Sequence, residues 1–137
     1  MAAPKSTIWE LEPHTRAKHA ILRRYLQAWT VILTQGGFPE VVYIDGFAGP
    51  GRYAGGEDGS PIIALRAALD HHITSRMTFL FVEEKADRAQ VLRDIVDSLP
   101  VPGNFLIQIE GGTTFEEAYG RFSATHRARD GRLPPMT

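Results

Sequence analysis

The sequence predicts an α/β domain in which three parallel strands, in the order 3-2-1, are flanked by helices and preceded by one extra helix. Three observations carry that expectation. Strand-like and helical patterns alternate along residues 38–137, and such alternation builds a parallel sheet with helices on its faces. The strand-like runs are short and rich in β-branched and aromatic residues, as strands covered on both sides are. Each run also ends on a carboxylate: Asp45, the pair Glu83-Glu84, and Glu110. A length of 137 residues supplies one domain and one core. Residues 1–37 are its N-terminal helical segment, and residues 38–137 its three β-α units.

The longest helical pattern runs from Pro13 to about Leu33. Ile21, Leu22, Tyr25, Leu26, Trp29, Ile32 and Leu33 recur at three- and four-residue steps, with Arg16, Arg23, Arg24 and Gln27 opposite. Gly36-Gly37 stops it and Pro39 prevents a restart. Val41 to Ile44 is the first strand. Gly46 to Gly59 is a long loop with six glycines. Ser60-Pro61 reads as a cap followed by proline in the first turn of a helix that extends to about His71. Met77 to Val82 is the second strand. A helix from about Asp87 to Leu99 follows, with Ala89, Leu92, Ile95 and Val96 inward, and Pro100 and Pro102 end it. Asn104 to Ile109 is the third strand. Thr114 and Glu117 form a capping box for a last helix reaching about His126, and the tail from Asp130 is a loop. Trp9, Tyr25, Trp29, Phe38 and Tyr43 are expected in the core.

Composition narrows the function. The net charge is −1, so nothing global points to nucleic acid or membrane. With no cysteine, there is no disulfide, iron–sulfur cluster or thiol nucleophile, which fits a reducing cytoplasm. No apolar run is long enough to span a membrane, and the N-terminus lacks a signal-peptide core. No metal site is expected. Three strands make half of a doubly wound sheet, and the edge from Val41 to Asp45 would be an apolar template for pairing. The expectation is therefore a truncated form of a longer domain, or an edge covered by another copy or another chain.

The candidate chemistry sits at the strand tips. In V-V-Y-I-D-G-F-A-G-P-G, Val41 to Gly51, an apolar strand stops on Asp45 and breaks into a turn. Gly46, Gly49 and Gly51 allow positive φ and close backbone approach to a ligand, with Phe47 and Ala48 between them. The glycines fall as G-x-x-G-x-G rather than as the dinucleotide fingerprint. A pyrophosphate on a helix N-terminus is disfavoured by a nearby carboxylate. S-Adenosylmethionine has no phosphate and carries an ammonium group, so an acid here favours it over NAD. Glu83, or its neighbour Glu84, is placed to accept two hydrogen bonds from ribose hydroxyls. Glu110 to Thr113 lies where an adenine would sit. Lys18, on one helix face with His14, could neutralise a cofactor carboxylate. Tyr53, inside the glycine loop, is a candidate stacking or lid residue. No catalytic residue is identified: the chain has no Asp/Asn-Pro-Pro-aromatic segment.

Several blocks together resemble the three-Cys-motif partner (TcmP) family, a bacterial group related in fold to methyltransferases. They are W-E-L-E-P-H-T-R-A-K-H-A-I-L-R-R-Y-L-Q-A-W (Trp9 to Trp29), Y-I-D-G-F-A-G-P-G-R-Y (Tyr43 to Tyr53), G-E-D-G-S-P (Gly56 to Pro61) and F-V-E-E-K (Phe81 to Lys85). The resemblance implies a Rossmann-like, S-adenosylmethionine-dependent methyltransferase fold, with Asp45, Gly49, Gly51 and Glu83 at the cofactor. It also implies a companion protein, to which the three cysteine motifs belong. Members continue into a fourth strand ending in an Asp-Pro-Phe-Gly-like segment, which is absent from this sequence. The leading expectation is an S-adenosylmethionine-binding, methyltransferase-like domain, inactive alone and acting with a partner on nucleic acid or protein. One alternative is an interaction protein with a degenerate cofactor site. Another is a different nucleotide-binding α/β domain.

Overall fold

A computed structural model of the chain describes residues 13–54, 56–71, 73 and 75–130, with residue 34 and residues 126–130 described by backbone alone. The elements run α1 (Pro13–Gly36), β1 (Glu40–Asp45), α2 (Ser60–Asp70), β2 (Arg76–Glu83), α3 (Ala86–Asp97), β3 (Phe105–Gly111) and α4 (Phe115–Asp130). The expected core position of Trp9 and the expected loop of the tail beyond Asp130 lie outside the described residues.

The architecture is α/β: a three-stranded parallel sheet flanked by four helices. The strand order is β1-β2-β3, and both pairings are parallel. Central β2 is buried from Met77 to Glu83, as a strand paired on both edges and covered on both faces must be. Strand alternation divides the core. Val41, Tyr43, Met77, Phe79, Phe81 and Phe105 point to the face covered by α2 and α3, against Ile62, Leu65, Leu92 and Val96. Tyr43, Phe79 and Phe105 form an aromatic row across all three strands, with ring centroids 6.0 and 5.5 Å apart, and Trp29 of α1 continues it at 5.9 Å from Tyr43. Val42, Leu80 and Val82 point the other way, against Ala118 and Phe122 of α4.

Helix α1 departs from expectation in which face it buries. Leu26 and Leu33 are buried and Leu22 and Trp29 partly so, but Ile21, Tyr25 and Ile32 are 69%, 53% and 63% exposed. The helix carries more apolar side chains than one stripe can hold. Positions 19, 22, 26, 29 and 33 take the inward stripe, and 21, 25 and 32 face out. Phe38 is 36% exposed rather than core.

Two caps differ in outcome. Thr114 caps α4 as expected, its Oγ1 accepting from Glu117 N at 3.2 Å. Ser60 does not cap α2: Gly59 is the N-cap, and the Ser60 hydroxyl is turned elsewhere. The loop before α2 is also more ordered than its glycines suggest. Tyr53 N donates to Glu57 O and Gly59 N to Gly51 O, closing a small antiparallel bridge between Arg52 and Asp58.

Candidate functional site

A cavity of about 360 Å³ opens at the carboxyl ends of β1 and β2. Open α/β sheets bind ligands at that end of their strands, and this volume lies in the usual range for a small-molecule site. Its wall is the turn from Gly46 to Tyr53, the start of α2 at Gly59 and Ser60, the segment Glu83 to Lys85, Arg88 of α3, and His19 of α1.

Glu83 is the hub. Its side chain is 8% exposed, and its two oxygens accept from Gly49 N at 3.1 Å and from Lys85 N at 2.8 Å. Its backbone oxygen accepts from Gly112 N at 3.0 Å. One residue thus ties the glycine turn after β1, the tip of β2 and the turn after β3. Each carboxylate oxygen has two lone pairs, so each keeps one acceptor position beyond these bonds. The turn is fixed a second time by Ala48 N donating to Val82 O at 2.9 Å.

The three glycines of this turn are there for different reasons. Gly49 and Gly51 have φ of +69° and +87°, the left-handed region that glycine adopts without penalty. A Cβ on Gly49 would meet nothing within 4 Å, so a ligand can approach its backbone closely. A Cβ on Gly51 would lie 2.7 Å from Leu92 Cδ1, so that glycine serves packing against α3. Gly46 has no positive φ, contrary to expectation; it is small because the Phe115 ring lies against it.

Asp45 is satisfied from within. Its Oδ1 accepts from Phe47 N at 3.1 Å and its Oδ2 from the Ser60 hydroxyl. Burial pushes its carboxyl above the usual carboxylate range, against the opposing pull of the Ser60 and Phe47 hydrogen bonds and of His19. Asp45 therefore stands behind the wall, holding the turn to α2, and is not itself part of the lining. Phe47, 83% exposed, and Glu84 sit on the cavity rim.

Two candidates lie elsewhere. Lys18 is exposed and does not line the cavity; the next residue, His19, does. Glu110 points toward α4, accepting from Gln108 Nε2 at 2.9 Å and facing Arg121 at 3.6 Å.

His19, Arg52, Ser60, Lys85 and Arg88 also line the site and were not anticipated. His19 was legible in one respect: it continues the inward stripe of Leu22, Leu26, Trp29 and Leu33 by one helical step. Its ring lies 5.7 Å from that of Tyr53. It is 9% exposed, and its Nδ1 is buried with no hydrogen-bond partner among the described residues. Burial, then the Arg23 cation, push its pKa below the ordinary imidazole value, with Asp45 opposing. Tyr53 is pushed up by burial and then by Asp45.

Among the described residues, no three His, Asp or Glu side chains gather as a metal site would require, and no helix is long and apolar enough to cross a membrane. The arrangement can take a small polar ligand and offer it a carboxylate, an imidazole and glycine backbone. No protein-family model, curated protein or solved structure matches this chain.

Proposed function

We propose that this chain is an S-adenosylmethionine-binding, methyltransferase-like domain of the three-Cys-motif partner type. The observation that carries the reading is Glu83: a buried carboxylate at the tip of the central strand, facing a cavity roofed by glycine backbone, with acceptor positions left over. A vicinal diol is the ligand group that fills two such positions. Gly49 leaves room for the ligand against its backbone.

The topology supports the same reading. A parallel sheet in the order β1-β2-β3, with α2 and α3 on one face and α4 on the other, is compatible with half of such a fold. A right-handed crossover continuing from α4 would return toward the open side of β1, as in a doubly wound sheet. When bound, the cofactor supplies an electrophilic methyl group. The chain's contribution is to hold the ribose on Glu83, seat the ligand along Gly49 and exclude water, which is positioning work. A methyl acceptor on nucleic acid or protein, and a partner that completes the site, belong to this proposal.

Calorimetric titration with S-adenosylhomocysteine tests it, with NADH and ADP as comparison ligands. Saturable binding of S-adenosylhomocysteine alone is the expected result. Preferred binding of ADP or NADH would replace it with a phosphate-bearing nucleotide. Arg52, Lys85 and Arg88 in the wall are what favour that outcome.

A partner-docking role is a second reading, supported by the outward stripe Ile21, Tyr25 and Ile32 on a helix with four Arg and Lys and no acidic residue. Self-association in size-exclusion chromatography that is lost in Ile21→Lys/Ile32→Lys would support it.

A further inference from the structure

Helix α1 carries two seams, and the fold uses one of them. Residues 19, 22, 26, 29 and 33 turn inward. A second series, Lys18, Ile21, Tyr25, Ala28, Ile32 and Gln35, is exposed at every position. Its steps alternate between three and four residues, the spacing at which one helix presents a continuous seam to another. At 3.6 residues per turn the two seams lie roughly 110° apart around the helix, so packing of the inner seam leaves the outer one uncovered.

The outer seam is complementary to its own reverse. Turned end for end about the point midway between Leu26 and Gln27, it sets Ile21 against Ile32, Tyr25 against Ala28 and Lys18 against Gln35. The large Tyr25 ring then meets a small residue, as interdigitating helices require. A two-fold axis makes contacts of this kind, because the same patch serves both copies.

Charge chooses the same direction. Arg16, Lys18, Arg23 and Arg24 all lie in the first half of α1, residues 28–36 carry no charge, and the helix has no acidic residue. A parallel pair would set Lys18 against Lys18 and the two basic halves side by side, which like-charge repulsion opposes. An antiparallel pair lays each basic half along the uncharged half of its neighbour, whose terminal carbonyls and helix dipole attract cations.

We propose that the outward seam of α1 is a homodimer interface, in which α1 of a second copy packs antiparallel with Ile21 of each copy against Ile32 of the other. This deepens the partner-docking reading given above and rests on it; it is independent of the cofactor reading. The seam from Lys18 to Gln35 is about 26 Å long, a small interface, so the dimer is expected to dissociate on dilution.

Sedimentation over a range of protein concentrations tests the association, and cysteine cross-linking tests its direction. Because the chain has no cysteine, Ile21→Cys and Ile32→Cys each carry a single thiol. Both side chains are exposed, so one copy keeps its fold, which thermal melts check. The expected results are a dimer dissociation constant at least tenfold weaker in Ile21→Lys/Ile32→Lys, and a disulfide-linked dimer that forms at least fivefold faster in an equal mixture of the two cysteine variants than in either alone. Cysteine variants that each cross-link alone as fast as the mixture would overturn the antiparallel pairing while keeping the stripe as a docking surface. Wild-type protein that stays monomeric at every concentration overturns the second copy as occupant and leaves the stripe to a different partner. Self-association that persists in Ile21→Lys/Ile32→Lys removes the stripe from docking altogether.

Discussion

The tips of β2 and β3 carry the same kind of residue and use it in opposite ways. Glu83 is buried and grips the main chain of two segments, Gly49 and Lys85, beside a cavity. Glu110, one strand over, meets side chains, Gln108 and Arg121, and faces α4. A carboxylate that accepts from backbone fixes loop geometry and stays where a ligand can find it. One that pairs with long, partly exposed side chains ties a helix to a strand and no more.

The largest consequence is at Glu83. Glu83→Ala leaves two backbone N–H groups without their acceptor and removes one of the two ties between the glycine turn and β2. A loss of about 2–3 kcal/mol is expected, measured by urea denaturation, together with loss of detectable S-adenosylhomocysteine binding. Full stability in that variant would mean that the turn is held by Ala48 alone and that Glu83 is no hub.

The glycine turn offers the next contrast. Gly51→Ala carries the left-handed backbone penalty of about 1–2 kcal/mol and a collision with Leu92, so stability falls by about 2 kcal/mol. Gly49→Ala carries the backbone penalty without a collision, and its methyl group projects into open space. The expected pattern is crossed: Gly51→Ala costs more stability, Gly49→Ala more affinity. Denaturation and calorimetry on the same two proteins decide it, and parallel losses in both would merge the two glycines into one structural role.

This contrast also marks where sequence stops informing. The alternation of strands and helices was legible because period and punctuation agree: Gly36-Gly37 with Pro39, Pro100 with Pro102, and Thr114 with Glu117 each stop or start an element by local chemistry. The glycine turn and the acids at strand tips were legible for the same local reason. What the pattern did not reveal depends on distant partners. Gly46 and Gly51 look alike in sequence, yet one is small for Phe115 and the other for Leu92. Ser60 looks like a cap and instead donates to Asp45, fifteen residues back. In α1, the apolar positions span two faces, and only packing chose the one containing His19, Leu26 and Leu33.

The smallest effect is expected at Glu110, and it tests the comparison most directly. Its pairing with Arg121 is 3.6 Å long, and the two side chains are 27% and 55% exposed. Pairs of that kind contribute about 0–1 kcal/mol because water screens them and ordering two long side chains costs entropy. Glu110→Ala should therefore cost no more than about 0.5 kcal/mol, a difference that shrinks further at about 1 M salt as the screening length contracts. S-Adenosylhomocysteine affinity should be unchanged, because the side chain turns toward α4 and away from the cavity. A tenfold weaker affinity in this variant, with stability intact, would place the β3 tip inside the ligand site after all. The two strand tips would then differ only in how their carboxylates are held, and not in what they do.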